Sequence, residues 1–173
     1  MGKKIIHIIT RLDKGGSADI VLKLSEELKK RGYDIGILSG LTTDPVANIE
    51  DFTKKTGIKI GFIPYLLRDI NPLKDIRAFF YLFKFLRREK PLIAHLHTSK
   101  AGFIGRIAAR LAGVKCIVYT THGHIFYGYF SRLKTWLFIS MERIASCFCD
   151  VITTLTEKEK GEFLSLKIAK ENK

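Results

Sequence analysis

Apolar and polar positions follow one another along the chain in blocks of two kinds. Short runs rich in β-branched residues, such as Lys3–Thr10, have the nearly continuous apolar pattern of a strand buried on both faces. Longer segments, such as Ala18–Arg31, repeat apolar residues at spacings of three and four, which is typical of an amphipathic helix. Because the two kinds alternate throughout, the sequence predicts a parallel sheet covered by helices on both faces.

Breaks and capping residues set the predicted boundaries. Ser17 or Asp19 can cap the first helix and Gly32 ends it, while Asn71-Pro72 opens a later helix that Pro91 ends. The predicted strands are Lys3–Thr10, Tyr33–Gly40, Ile58–Pro64, Leu92–Leu96, Lys115–Thr121 and Val151–Leu155. The predicted helices are Ala18–Arg31, Asn48–Thr56, a helix opened by Asn71-Pro72 that runs to Lys90, Ser99–Ala112, Ser131–Phe148 and a last polar helix capped by Thr156. We therefore expect a single α/β, Rossmann-like domain over residues 1–173, with about six or seven parallel strands.

Composition adds a strong positive charge to this picture. The 173 residues are 46% hydrophobic and carry a net charge of +13. Such a surface suits nucleic acid, an anionic membrane or a phosphorylated substrate, although no recognised nucleic-acid-binding module is present. Three cysteines without metal-ligand spacing indicate a reduced, cytoplasmic chain. No apolar run has the length of a membrane span, so we expect a protein that is soluble or lies on a membrane surface.

Histidines follow two of the predicted strands. The loop His95-Leu96-His97-Thr98-Ser99-Lys100 ends one strand, and His122-Gly123-His124 ends the next. Both loops should emerge at the carboxyl edge of the sheet, where ligands bind in folds of this kind. His95 and His97 should point to the same side, and because no nearby Cys, Asp or Glu completes a set of ligands, no metal is expected. We expect His95 to be a core residue and His97 to contact a ligand or a partner domain.

The second histidine loop and the first glycine loop are the remaining candidates at this edge. Gly123 permits an unusual backbone, and a histidine beside it could hydrogen-bond a sugar hydroxyl or stabilise developing charge; the alternative is a structural turn. Gly15-Gly16 follows the first strand and opens a helix, so that backbone amides could approach a bound group. A plain turn is the alternative there, since neither a dinucleotide nor a phosphate-loop motif is present.

The helix from Leu73 to Arg88 carries two stripes. One is apolar and should cover the sheet; it consists of Ile76, Phe79, Phe80, Phe83 and Leu86. The other interleaves basic and aromatic residues and consists of Lys74, Arg77, Tyr81, Lys84 and Arg88. The second stripe suits contact with an anionic membrane surface, the alternative being a solvated charged face. Phe126, Tyr127, Tyr129 and Phe130 could add a further apolar surface, or pack under the next helix.

These motifs resemble the N-terminal domain of a GT-B glycosyltransferase of the family 4 type (glycosyl transferase group 1). The resemblance covers essentially the whole chain and is closest to members that build capsule, exopolysaccharide or lipid-linked glycans. The matching residues are Lys14–Ser17, Ala94–Gly102, Gly105–Ala109, Leu111–Val114, Thr121–Phe126, Gly128–Ser131, Glu142-Arg143 and Asp150–Ile152.

The resemblance implies roles for both domains of such an enzyme. The N-terminal domain holds the acceptor and the C-terminal domain holds the donor, a UDP- or GDP-sugar. Transfer retains the anomeric configuration and needs no metal held by an Asp-x-Asp motif. His122 is the catalytic candidate, because the matching histidine contacts the transferred sugar. The substrate-binding candidates are Gly15, Gly16, His97, Thr98, Ser99, Lys100, Gly123 and His124.

Two functions follow as hypotheses. The first is the acceptor-binding half of a retaining, nucleotide-sugar-dependent glycosyltransferase for cell-surface polysaccharide or lipid-linked glycan synthesis. Family members are about twice as long, as two packed domains require, so we expect this chain to need a C-terminal domain or partner subunit for activity and to bind no cofactor alone. The alternative is a non-catalytic, membrane-associated Rossmann-like module that pairs with a partner subunit. Either would be cytoplasmic, peripheral on the inner face of the cell membrane.

Overall fold

A computed structural model describes residues 3–123 and 131–173. Strands and helices alternate through both parts as the sequence pattern predicts. The strands are β1 (Lys4–Ile9), β2 (Asp34–Gly40), β3 (Lys59–Ile63), β4 (Ile93–His97), β5 (Cys116–Thr120) and β6 (Val151–Thr153). The helices are α1 (Gly16–Lys30), α2 (Ile49–Thr56), α3 (Pro72–Glu89), α4 (Ser99–Leu111), α5 (Arg132–Ser146) and α6 (Glu157–Ser165).

All six described strands form one parallel sheet in the order β3-β2-β1-β4-β5-β6. The chain first moves outward from β1 to β3, then crosses back and moves outward again from β4 to β6. Right-handed crossovers therefore place α1 and α2 on one face and α3, α4 and α5 on the other. This confirms the predicted α/β class, with helices on both faces of the sheet.

The central strand β1 is buried on both faces because alternate side chains enter two different cores. Ile5 and Ile9 pack into the core on the α1 side, and Ile6 and Ile8 into the core on the α3 and α4 side. Each of these side chains is at most 4% exposed. A strand with two buried faces needs apolar residues at nearly every position, which explains its β-branched run.

Helix α3 begins and ends as predicted but buries a different face. The Asn71 side chain accepts a hydrogen bond from the Lys74 amide (3.1 Å), and Pro72 occupies the first turn. The fully buried residues are Ala78, Leu82 and Leu86, with Phe79 and Phe83 packed beside them. The prediction that Ile76 and Phe80 cover the sheet was wrong, since they are 55% and 52% exposed. Small Ala78 marks the true centre of the buried face.

Helix α4 lies close to the sheet and carries a buried charge. Gly102 leaves no room for a side chain, because an added Cβ would overlap the ring of Tyr119. The Arg106 guanidinium lies 3.9 Å above the same ring and donates to the Glu142 carboxylate on α5 at 2.7 Å. Arg106 is 0% exposed, and its Nε donates to the Gly102 carbonyl at 2.8 Å. This ion pair joins α4 to α5 within the core.

None of the helices in the described part of the chain is long and apolar enough to cross a membrane.

Candidate functional site at the carboxyl edge of the sheet

The candidate site lies where strands β1, β4 and β5 end side by side. The chain leaves β1 and β4 in opposite directions across the sheet, since β2 and β3 lie on one side of this pair and β5 and β6 on the other. In open α/β sheets such a reversal opens a crevice between the loops that follow the two strands, and ligands bind there. The predicted glycine and histidine loops both belong to this edge.

The glycine loop leaves the first turn of α1 open. Gly15 is the N-cap residue, with φ of 153°, and no side chain caps the helix. A Cβ added at Gly16 would meet nothing within 4 Å, so there is open space beside this residue of the first turn. Uncapped amides at a helix N-terminus, together with the helix dipole, favour an anion such as a phosphate group.

Two threonines fasten the ends of β1 and β4 to each other. The Thr10 and Thr98 hydroxyls lie 2.7 Å apart, and the Thr10 amide donates to the Thr98 hydroxyl at 3.3 Å. The Thr10 hydroxyl also accepts a hydrogen bond from the Ala101 amide in the first turn of α4. Thr98 has φ of 66°, a conformation that is strained for a β-branched residue. These bonds hold the two loops at a fixed separation and stabilise the strained backbone.

The rest of the predicted polar loop divides between solvent and α3. Ser99 is exposed at the start of α4. Lys100 instead turns toward α3, where its ammonium lies 2.7 Å from the Asp75 carboxylate and also donates to the Asp69 carbonyl. Its side chain is 13% exposed. The charge of Lys100 is therefore neutralised by α3 and does not face the glycine loop as a free cation.

The structure reverses the burial predicted for the two histidines of β4, since His97 is buried and His95 is partly exposed. The strand runs one residue further than predicted, so His97 pairs with Ile9 on β1 and with Thr120 on β5 and is 0% exposed. His95 is the partly exposed residue, and its Nε2 lies 2.7 Å from the Thr120 hydroxyl. The two rings do share one side of the sheet, with centroids 4.1 Å apart. Direct contact between His97 and a ligand would require its buried ring to be uncovered.

A row of histidines links the core to the candidate site. Nδ1 of His7 lies 3.0 Å from Nε2 of His97, and Nδ1 of His97 lies 2.8 Å from Nε2 of His122. His95 lies beside this row, with its ring centroid 5.1 Å from that of His7. We call these four residues the histidine cluster. Sequence reasoning missed His7, whose signal is a polar residue in the β-branched run that is in register with His95 on the next strand.

Burial keeps the histidine cluster uncharged at neutral pH. It lowers the pKa of His7 to about 3 and that of His95 to about 4. Burial and the neighbouring imidazoles hold the pKa of His97 well below its usual value. Burial also lowers the pKa of His122, and the Glu159 carboxylate partly opposes this effect. The cluster can therefore donate and accept hydrogen bonds at pH 7 without carrying charge.

Glu159 is a second residue that sequence reasoning missed. Its carboxylate accepts hydrogen bonds from the Thr121 hydroxyl and from the Gly123 amide, the latter at 3.2 Å. It also accepts one from the Leu155 amide at 2.8 Å. The spacing Thr156-x-x-Glu159 is that of a capping box, which would have placed this carboxylate at the start of α6. Glu159 fastens the loop that carries His122; His124 lies outside the described residues.

Three members of the cluster have the composition of a metal site. Nitrogens of His7, His95 and His97 lie within 4.8 Å of one another and are neutral, as ligands must be. However, His7 and His97 use facing nitrogens in their contact of 3.0 Å. No carboxylate joins this group among residues 3–123 and 131–173. The geometry thus fits a hydrogen-bonded row better than a preformed metal centre.

A separate candidate surface lies on α3. All five residues of the predicted basic and aromatic stripe are exposed, namely Lys74, Arg77, Tyr81, Lys84 and Arg88. Three exposed apolar residues accompany them: Leu73 (74%), Ile76 (55%) and Phe80 (52%). The aromatics Phe126, Tyr127, Tyr129 and Phe130 lie outside the described residues. This side of α3 thus combines positive charge with accessible apolar area.

Comparison with known proteins finds a matching family and two related enzymes. The model of Glycosyltransferase Family 4 matches residues 14–172. An Escherichia coli UDP-Gal:alpha-D-GlcNAc-diphosphoundecaprenol alpha-1,3-galactosyltransferase is 38% identical over 126 residues, covering 71% of this chain and 30% of its own length. The capsular polysaccharide biosynthesis glycosyltransferase CapM of Staphylococcus aureus is 28% identical over 178 residues, covering 99% of this chain and 42% of its own length. The chain thus spans less than half the length of these relatives.

Solved structures show the same fold. The lipopolysaccharide outer core galactosyltransferase WaaB superposes with a TM-score of 0.63 over 96% of this chain and 43% of its own length. At 13% sequence identity, this likeness speaks for the fold alone. This chain therefore has the predicted fold, which is that of the N-terminal half of a GT-B enzyme.

Proposed function

The chain belongs to Glycosyltransferase Family 4, and on that premise we propose that it is the acceptor-binding half of a retaining, nucleotide-sugar-dependent glycosyltransferase. Its product would be a cell-surface polysaccharide or a lipid-linked glycan. The observation that carries the proposal is that an uncapped helix N-terminus after β1, at Gly15 and Gly16, and His122 after β5 both lie at the carboxyl edge of the sheet. A second domain facing this edge would close a cleft between them.

The chemistry of this edge suits a phosphorylated sugar. The open first turn of α1 offers backbone amides and a positive dipole end to the donor phosphates or to a diphosphate of the acceptor. His122 is neutral, so it would contact the transferred sugar as a hydrogen-bonding group without competing for the phosphate charge. The leaving phosphate would be stabilised mainly by the second domain, which supplies a UDP- or GDP-sugar.

The relatives support the substrate class. The E. coli relative is named for a UDP-linked galactose donor and an acceptor sugar carried on diphosphoundecaprenol, and the S. aureus relative for capsular polysaccharide. A lipid diphosphate acceptor lies at an anionic membrane surface, and a net charge of +13 is suited to both. We therefore propose a lipid-linked acceptor and a peripheral position on the cytoplasmic face of the membrane.

A hybrid enzyme tests the catalytic proposal. This chain would replace the matching segment of the E. coli relative, and transfer would be followed from UDP-galactose to GlcNAc-diphosphoundecaprenol. We expect transfer by the hybrid and a fall of about 100-fold in His122→Ala, the usual effect of losing one hydrogen-bonding group at a reacting centre. His95→Gln is the matched control, because His95 bonds Thr120 and lies outside the row. A folded hybrid that transfers no faster than its His122→Ala variant contradicts the proposal.

The exposed face of α3 supports membrane contact and also the second candidate function, a non-catalytic membrane module that pairs with a partner subunit. Each basic residue near an anionic surface contributes about 1 kcal/mol of binding. Flotation with vesicles of phosphatidylglycerol and phosphatidylcholine would measure how much of the protein binds to the membrane surface. We expect Lys74→Glu/Lys84→Glu to reduce vesicle binding strongly. The control, Lys23→Glu/Lys54→Glu, makes the same change of net charge on α1 and α2, on the opposite face of the sheet, and should bind more tightly than the α3 variant.

Equal losses in the two charge variants would show that net charge alone governs vesicle binding, and would contradict a specific role for α3. Vesicle binding by a folded hybrid that transfers no sugar would favour the non-catalytic module.

A further inference from the structure

The row of imidazoles His7–His97–His122 has an unpartnered nitrogen at each end. Nε2 of His7 and Nδ1 of His122 are both buried and have no hydrogen-bond partner in the part of the chain that the structure describes. Each inner nitrogen faces a nitrogen of the next ring, at 3.0 Å and 2.8 Å. Two facing imidazole nitrogens can share one proton between them, so the three rings must take their protons in a common direction.

Two directions are compatible with three neutral rings. In the first, Nδ1 of each ring is protonated: His7 donates to His97, His97 donates to His122, and His122 presents an N–H at its outer nitrogen. In the second, Nε2 of each ring is protonated: His122 donates inward, and its outer nitrogen is a bare acceptor. Heavy-atom positions are the same for both, so the ends of the row decide between them.

The buried end favours the first direction. Each direction leaves one N–H without an acceptor in the described chain, at His7 in the second direction and at His122 in the first. His7 is 0% exposed in the core, whereas His122 is only partly buried at the ligand-binding edge of the sheet, where a bound oxygen can accept its N–H. Orphaned buried N–H groups are rarer in proteins than under-used acceptors.

We propose that His7 and His97 are positioning residues that hold His122 as the tautomer protonated on Nδ1, so that this N–H donates to an oxygen of the bound sugar. The proposal rests on the proposed function for its last step, the contact with sugar. The tautomer itself is a property of the chain without substrate. A buried row that starts two rings away thereby decides whether the candidate catalytic group acts as a donor or as an acceptor.

Nitrogen-15 NMR of the labelled chain at pH 7.5 measures the tautomers directly, since protonated and bare imidazole nitrogens have well-separated shifts. Loss of one set of signals in His122→Gln assigns that residue. We expect protonated Nδ1 in His7, His97 and His122. A wild-type His122 that is protonated on Nε2, or that populates both tautomers equally, overturns the proposal without any variant.

Two variants then separate positioning from packing. His7→Phe removes the first donor at similar volume and should leave His122 as a mixture of tautomers. His95→Gln is the control, since its ring touches the row without belonging to it, and should leave the His122 signals unchanged. A folded His7→Phe chain that keeps His122 fully protonated on Nδ1 also overturns the proposal. These spectra need no substrate, so they test the tautomer separately from the proposed function. If His122 has the expected tautomer but the hybrid enzyme transfers no sugar, the proposed function and its sugar contact are refuted. The positioning of His122 by His7 and His97 then still stands.

Discussion

The buried pair Arg106–Glu142 gives the sharpest stability prediction. The Arg106 side chain is 0% exposed and that of Glu142 is 11% exposed, so water can reach the carboxylate but not the guanidinium. Glu142→Gln would leave the arginine charge in the core with the face of Tyr119 and the Gly102 carbonyl as its remaining partners. Burial alone would lower the pKa of Arg106, but the Glu142 carboxylate holds it above its usual value. Because that carboxylate is what stabilises the buried charge, we expect a loss of about 3–5 kcal/mol.

The reverse substitution should cost less. Arg106→Met leaves a carboxylate that water can partly solvate, so we expect a loss of about 1–3 kcal/mol. The double variant Arg106→Met/Glu142→Leu removes both charges and fills the space with apolar groups, which in other proteins is often neutral or stabilising. The two positions should therefore show a large coupling energy in a double-mutant cycle.

Urea unfolding followed by circular dichroism measures all four proteins of this cycle. For a chain of this size, each kcal/mol corresponds to about 2–4 °C in Tm, so Glu142→Gln should melt roughly 6–20 °C below the wild type. The reasoning is refuted if Glu142→Gln costs less than Arg106→Met, or if the double variant loses the sum of both single losses.

Three further predictions concern the sheet and its helices. Burial lowers the folded-state pKa of His7 and His95 below the ordinary value, so unfolding takes up protons in acid. The free energy of unfolding should therefore be at its full value above about pH 7 and fall by about 2 kcal/mol for each of the two histidines by pH 5. Urea midpoints that stay constant from pH 7.5 to 5 would contradict this prediction. Gly40→Ala should prevent stable folding, because its Cβ would overlap two backbone carbonyl oxygens that cannot move cheaply, and a wild-type melting curve would show that the end of β2 is looser than the structure indicates. Gly161→Ala, in open space within α6, should instead stabilise the chain by about 0.5–1 kcal/mol in the same assay, and a loss would point to an unseen contact.

Local sequence patterns were sufficient for the order of the elements and for the edge that holds the candidate site. Capping residues such as Asn71 and apolar runs such as β1 act over a few residues, so they can be recognised without knowing the fold. The face of α3 was harder to predict, because Ala78 contributes to packing through its small size and carries no strong hydrophobic signal. The pairing of His7 with His97 depends on strand register across 90 residues, which no local pattern contains.

The same separation has a consequence for how the chain folds. Its histidine row takes one imidazole from β1, one from β4 and one from the loop after β5. One edge of β1 must therefore remain without its hydrogen-bonded neighbour while roughly half of the chain is completed. Closing such a long loop lowers the chain entropy before any stabilising contact between β1 and β4 has formed. The histidine row should therefore form late in folding, after the β1–β2–β3 half of the sheet has paired, and its amide protons would report the arrival of the native topology rather than of local structure.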